Sequence, residues 1–418
     1  MAQLLKTEFE GRLGPLLSLS LWTGALSVVT LGFYRFWMKT RLRRHFWSAV
    51  RPGGTPLEYV GRGIEKFTGF LVALVILALL IGVVALSLLF ASYALFQEEF
   101  EAWLVAAALA VPLIFFASYR AKRYVYARTR WRGIRFGLDP AAGRYALHAT
   151  GHLVLTLLTL GALWPRMTFK LEQFRVDRTW FGTARLHQGG RWSALLPPFL
   201  PALLSGWAAI ALIVNAFVLQ EPFVVGAAGD GGREIRAISG ALGLGCVAAL
   251  AYLRYRVVAL RYMAGHKTAG GVGLISTASF PRVLWLNLSG YVLTNVFTTL
   301  ASLAVAAAAS TVLLLVYPGL RDLGIFASGA VADGEVGGGD GLPSPEAALA
   351  FALFLYMSTL LFFAVFRQTF VLFPVWRHYS ETLTITGAEH FREIGQRGRD
   401  EAGEAEGMAE AFDLGAAI

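Results

Sequence analysis

Between Thr68 and Phe96 the chain runs for 29 residues without a charged side chain, and between Val283 and Leu320 for 38. Ser193–Leu219 and Ala347–Phe366 are equally free of charge. About 20 apolar residues in a helix cross the hydrocarbon layer. There the backbone must satisfy its own polar groups, which leaves helices or closed barrels. Runs this long without alternation point to an all-α, polytopic helical membrane protein. The composition agrees: of 418 residues 56% are hydrophobic and only 15% charged, against about 25% charged in soluble proteins.

Eight apolar segments can be read, at about 13–34, 68–96, 102–119, 145–165, 193–219, 237–253, 283–320 and 347–366. The stretches joining them sort by charge. Residues 38–67 are net +5, 119–146 net +7, 165–193 net +4 and 254–282 net +5, whereas 97–102, 220–237 and 318–346 are net −3, −1 and −4. Short loops rich in Lys and Arg stay cytoplasmic. The basic connectors and the C-terminal tail are therefore expected on the cytoplasmic side. Segment 145–165, however, lies between two basic connectors, and a plain span would place one of them outside. Segment 13–34 poses the same problem.

A repeated phrase offers a way out. "TLGFYRFWMKTRL" begins at Thr30 and "TLGALWPRMTFKL" at Thr159; Thr30, Leu31, Gly32, Met38 and Leu42 match Thr159, Leu160, Gly161, Met167 and Leu171. Glycine costs about 1 kcal/mol inside a helix, so Thr-Leu-Gly is expected to break each segment and turn the chain back. The expected architecture is three transmembrane hairpins (68–119, 193–253, 283–366) plus two re-entrant or interfacial helices; the alternative is eight plain spans. A looser pattern sets an aromatic residue or His eight or nine residues before Gly53, Gly133, Gly182, Gly270 and Gly387. Such self-similarity suggests repeated membrane units: residues 1–140, 141–275 and a degenerate 276–388, followed by an acidic, mobile tail at 389–418. The run after Val283 is too long for one span at 1.5 Å per residue, so part of it is expected along the interface.

These phrases, with "TPLEYVGRG" (55–63), "RTRWRGIRFGLD" (128–139) and "RYALHATGHLVLTLLTLGALWPRMTFKLEQFRVDRTWFGTARL" (144–186), resemble the YjgN family of bacterial inner-membrane proteins. The resemblance implies a polytopic membrane protein without an established activity. It also implies a neighbourhood with membrane metallopeptidases. The third unit and the tail depart from the family pattern.

Candidate binding residues cluster in two basic-aromatic collars. Arg35, Trp37, Arg41, Arg44 and Trp47 belong to the first, and Arg123, Arg128, Trp131 and Arg132 to the second. Trp anchors at headgroup depth, and each basic residue near an anionic leaflet gains about 1 kcal/mol. The collars can simply set topology and anchor the chain, or can bind an anionic headgroup or solute. Arg35, three residues after Gly32, can equally snorkel to the interface. His148 and His152, four apart, share one helix face; packing or a polar intramembrane site are the readings, since no Glu follows as in H-E-x-x-H. His45, His266, His378 and His390 are expected to face solvent. Cys246, the single cysteine, is read as a packed small residue.

No nucleophile elbow, phosphate loop or zinc spacing occurs. No catalytic residue, metal or cofactor is expected, and no enzyme. The basic residues sit against membrane segments, which argues against nucleic acid. The expectation is a protein that transports or binds an anionic lipid or solute at the cytoplasmic leaflet, with membrane lipids as partners. The alternative is a scaffold or regulator of a membrane metallopeptidase.

Overall fold

The structure, a computed structural model, describes residues 4–30, 32–71, 74, 82, 99–217, 231–317 and 344–398. Most of the expected first limb of hairpin 68–119 lies outside these residues. Four helical stretches among the described residues are long and apolar enough to cross a membrane: Trp192–Asn215, Ile235–Gly265, Phe280–Val316 and Pro345–Glu381. At most 17% of the most apolar window of any of them is buried within the protein. Aliphatic surface left bare to that degree needs lipid to cover it. Cys246 follows suit: it is exposed rather than packed.

The Thr-Leu-Gly phrases do break their helices. Helix α1 (Leu13–Val29) stops before Thr30 and α2 (Arg35–Ala49) starts five residues on; α3 (Glu99–Ala127) comes next, then α4 (Ala142–Leu158) and α5 (Trp164–Val176) flank the second phrase. The two breaks share one hydrogen-bond scheme. The Thr30 hydroxyl donates to the Leu26 carbonyl (2.7 Å) and accepts from the Tyr34 amide (2.9 Å). Thr159 does the same with Leu155 (2.9 Å) and Leu163 (3.3 Å). Gly32 and Gly161 donate five residues back, to Ser27 and Thr156, as the closing residue of a Schellman turn does. Both have left-handed backbones (φ 90° and 88°) that favour glycine.

Helix α6 (Leu196–Phe217) and α7 (Gly231–Gly265) form the next pair, followed by α8 (Phe280–Val316), α9 (Pro345–Arg367) and α10 (Phe373–Glu381). Ser344 caps α9, accepting from the Ala347 amide at 3.2 Å. The long run after Val283 is one uninterrupted helix of 37 residues, about 55 Å at 1.5 Å per residue. Among the described residues no part of it breaks away along an interface; proline stands only in its first turn.

The structure adds to the helical membrane architecture a sheet that the sequence reading lacked. Ten short antiparallel strands pair in the order β2-β1-β10-β9-β8-β7-β6-β5-β4-β3. They are β1 (Leu5–Phe9), β2 (Val50–Pro52), β3 (Leu57–Tyr59), β4 (Thr129–Trp131), β5 (Ile134–Leu138), β6 (Thr179–Phe181), β7 (Ala184–Gln188), β8 (Lys267–Ala269), β9 (Val272–Ser276) and β10 (Leu383–Thr386). The five glycines of the loose pattern sit in the turns after β2, β4, β6, β8 and β10, all with positive φ. Arg132-Gly133 and Gly270-Gly271 are positive at both central positions, which is what a two-residue type I′ hairpin requires. Trp131, Phe181, Val272, Ile385 and Ile394 are buried on one side of the sheet. Residues from nine strands line a single small apolar cavity there, of about 170 Å³.

The pairing settles how the Thr-Leu-Gly segments run. Strand β1 pairs with β2, Phe9 opposite Val50, and β5 pairs with β6, Leu138 opposite Thr179. The chain therefore leaves the sheet before each helix pair and returns beside its point of departure. Helices α1 and α4 are 17 residues each, about 26 Å long.

Contacts divide the chain into two compact units, residues 1–11, 43–284 and 377–418 in one and 12–42 and 285–376 in the other. The first unit holds the sheet. The tail expected to be mobile from residue 389 packs on that sheet as far as it is described: Ile394 is buried, and the Thr183 amide donates to the Gly395 carbonyl at 3.0 Å.

Candidate functional site

The collar residues disperse. Arg44 Nη2 donates to the Gly61 carbonyl (2.7 Å) and Arg123 Nε to the Leu138 carbonyl (2.9 Å). Trp47 Nε1 donates to the Thr129 hydroxyl at 3.1 Å. Trp131 is 4% exposed, donates to the Thr55 carbonyl at 3.2 Å, and packs its ring 4.9 Å from Phe391. Arg132 lies over that indole, 4.7 Å from the ring centroid. These five tie the basic connectors to the sheet. A Trp read as a headgroup anchor proves to be the centre of the sheet's core, because β4 turns its ring away from solvent. In the other unit, Trp37 stacks on Tyr34 at 6.0 Å and Arg41 lies 5.7 Å from the same ring.

His148 and His152 do meet, rings perpendicular with centroids 4.5 Å apart. Among the described residues no group of three or more His, Cys, Asp or Glu gathers around a metal position. His45, His266, His378 and His390 are half-buried rather than solvated; His266 Nδ1, for instance, lies 2.8 Å from the Tyr262 carbonyl.

Two cavities take in the remaining collar arginines. Arg35 lines an apolar groove of about 840 Å³ between α1–α2 and α9, with Met38, Leu353, Phe354, Leu361 and Gln368. Gln368 opens a π-helical turn, Gln368–Leu372, between α9 and α10. Such turns recur at functional sites. Its Nε2 is buried without a hydrogen-bond partner. Gly290 of α8 lies so close to the Phe370 carbonyl that a Cβ would collide with it, so the turn is backed by a tightly packed helix.

Arg128 lines the second cavity, about 350 Å³, on the sheet. Its Nε is 3.0 Å from Glu65 Oε2, which also accepts from the Tyr124 hydroxyl at 2.9 Å. Burial works against the guanidinium charge, but Glu65 outweighs it and raises the Arg128 pKa above its ordinary value. Four more arginines line the same cavity: Arg62, Arg130, Arg135 and Arg397. Arg130 and Arg135 belong to the second collar stretch read from the sequence; Arg62 and Arg397 were not foreseen, because they come from a loop and the tail, far along the chain from it.

Helices fit to cross a membrane, two helix pairs turned back at Thr-Leu-Gly, and a sheet built from the basic connectors define a helical membrane protein with a joined sheet domain. A family described as bacterial protein of unknown function (DUF898), which includes the YjgN-type proteins, matches residues 5–312. The chain belongs to this family. No curated protein and no solved structure is found to match it.

Proposed function

We propose that this protein binds an anionic phospholipid at the cytoplasmic leaflet, without turning it over, through the apolar groove of α1, α2 and α9. The observation that carries the reading is the groove itself. Its walls are aliphatic and aromatic, and Arg35 and the unpartnered amide of Gln368 are polar groups on its lining. Its volume lies within the few hundred to 1,000 Å³ typical of ligand sites. An acyl chain suits the walls; a headgroup phosphate suits a guanidinium and an amide donor. Snorkelling of Arg35 would leave the Gln368 amide unpaired, at about 1–3 kcal/mol.

The sidedness has its own support. Strands β2 to β9 all lie within the four basic connectors, and one hydrogen-bonded sheet joins them. Strands of three to five residues are too short to cross a bilayer, which takes about 9–11; this supports a shared compartment for the connectors, and their excess of Lys and Arg favours the cytoplasm.

Native mass spectrometry of the protein released from bacterial membranes tests the proposal. Wild type should retain phosphatidylglycerol. Ala364→Phe, which fills the groove, should lose it, and Arg35→Gln should lower it relative to phosphatidylethanolamine. Equal phosphatidylglycerol retention in all three refutes the reading. Stoichiometric recovery of a metallopeptidase with that equal retention would instead favour the scaffold.

A further inference from the structure

The arginine-lined cavity on the sheet lies in the other unit and plays no part in the groove. We propose that it is a second binding site, specific for a phosphate-bearing polyanion of small size. Five guanidinium groups and one carboxylate line about 350 Å³, and Glu65 is already engaged by Arg128 and Tyr124. The cavity thus carries four positive charges beyond neutrality. A concave site of one sign focuses potential and concentrates counter-ions.

The strand register sharpens the argument. Arg130 and Arg135 are directly opposite each other across the β4–β5 hairpin. Like charges in that position destabilise a hairpin by about 0.2–1 kcal/mol, and opposite charges would serve the fold better. Arg130 Nε is also buried with no hydrogen-bond partner. A fold that places two arginines face to face, and leaves a guanidinium N–H unmet, is arranged for a ligand that meets both. The ligand's chemistry follows from the donors: planar guanidinium forks match phosphate oxygens two at a time.

The walls set a size and a shape. Trp180 lines the cavity, and Arg397 lies 4.5 Å from its ring centroid. Arg397 reaches the cavity because the segment after Ile394 docks against β5 and the turn after β6. There the Arg135 amide donates to Gln396 Oε1 at 3.0 Å, and the Gly395 amide to the Thr183 hydroxyl at 3.2 Å. Gly182 has no room for a Cβ beneath the Gly395 carbonyl. The site is therefore assembled from distant stretches of the chain, and an inorganic diphosphate or the diphosphate of a larger molecule spans its arginines.

Calorimetric titration of the full chain in phosphatidylcholine nanodiscs with inorganic pyrophosphate, at constant ionic strength, tests this. Saturable binding is expected, weakened tenfold or more by Arg62→Gln with Arg130→Gln, and unchanged by Ala364→Phe in the groove. Arg397→Gln, on the docked tail, serves as the second variant should the double variant fail to fold. Repetition in phosphatidylglycerol nanodiscs separates the sources. Abolished pyrophosphate binding there would assign the phosphate to a lipid headgroup; undiminished binding would assign it to a soluble ligand. Absence of saturable binding in phosphatidylcholine discs, or binding that all the arginine variants preserve, overturns the proposal and leaves the groove reading untouched.

Discussion

Replacing Trp131 by alanine separates two roles that its sequence context allows. As a headgroup anchor, the indole would contribute to lipid association and little to folding. In the structure it is 4% exposed, with Phe181 at 5.7 Å and Phe391 at 4.9 Å between ring centroids. Truncating a buried Trp to Ala costs about 3–5 kcal/mol. Loss of the indole bond to the Thr55 carbonyl adds about 1 kcal/mol. Trp131→Phe keeps a ring in the cluster and gives up the hydrogen bond and some volume, about 1–2 kcal/mol. For domains of 150–250 residues each kcal/mol moves Tm by roughly 2–4 °C. Thermal melting of the detergent-purified protein should thus show a drop on the order of 10–20 °C for alanine and only a few degrees for phenylalanine. An alanine variant that melts with wild type yet loses anionic lipid would refute the placement of Trp131 in the sheet core.

Arg128→Ala should destabilise the protein by about 1–3 kcal/mol, because it strips Glu65 of its guanidinium partner; unfolding midpoints unchanged from wild type would contradict the ion pair. Gly387→Ala should destabilise more than Gly32→Ala in the same melt. Both have left-handed backbones, but only at Gly387 would the new Cβ strike backbone, the Gly271 carbonyl. Burial lowers the His45 pKa from its ordinary value, so the folded state disfavours its proton. Stability associated with His45 is then full above about pH 6.5 and lost as pH falls below it. Melts of His45→Gln should be flatter with pH over that range, and an identical pH slope would remove His45 as the cause.

The membrane-crossing helices were legible because their signal is local and long. The two Thr-Leu-Gly breaks were legible for a related reason: threonine's bonds to residues four before and four after, and glycine's left-handed φ, are completed within a short local stretch of chain. The sheet was not legible, although its turns were noticed. Each strand is only three to five residues long, and β4 and β5 read as charge-rich collar. Leu5 finds its partner at Ile385, a pairing no window along the chain can see. The loose pattern of an aromatic residue followed by glycine was the hairpin signal in disguise: helix end, strand of three or four residues, positive-φ turn. Burial then reversed the roles of the collar. Trp131 and Arg132 face one another on the sheet rather than the bilayer, while Arg130, one residue away on the alternate face, lines the basic cavity.

The same alternation makes sidedness testable without reference to any ligand. Glu58, His187 and Thr268 come from three different basic connectors, and all are exposed on strands of the one sheet. Hydrogen bonds link neighbouring strands throughout this stretch, with Leu57 opposite Trp131, Phe136 opposite Phe181 and His187 opposite Thr268. Breaking that continuity to pass a connector across the bilayer would strand peptide groups without partners, several kcal/mol for each in hydrocarbon. Single cysteines at these positions in a Cys246→Ser background should therefore react alike with a membrane-impermeant maleimide: blocked in intact spheroplasts, labelled in inverted vesicles. A cysteine at Ala227, in the acidic connector between α6 and α7, should give the reverse pattern. Were Glu58→Cys and His187→Cys to label from opposite faces, the two connectors could not belong to one sheet, and the basic cavity would lose the frame that positions it.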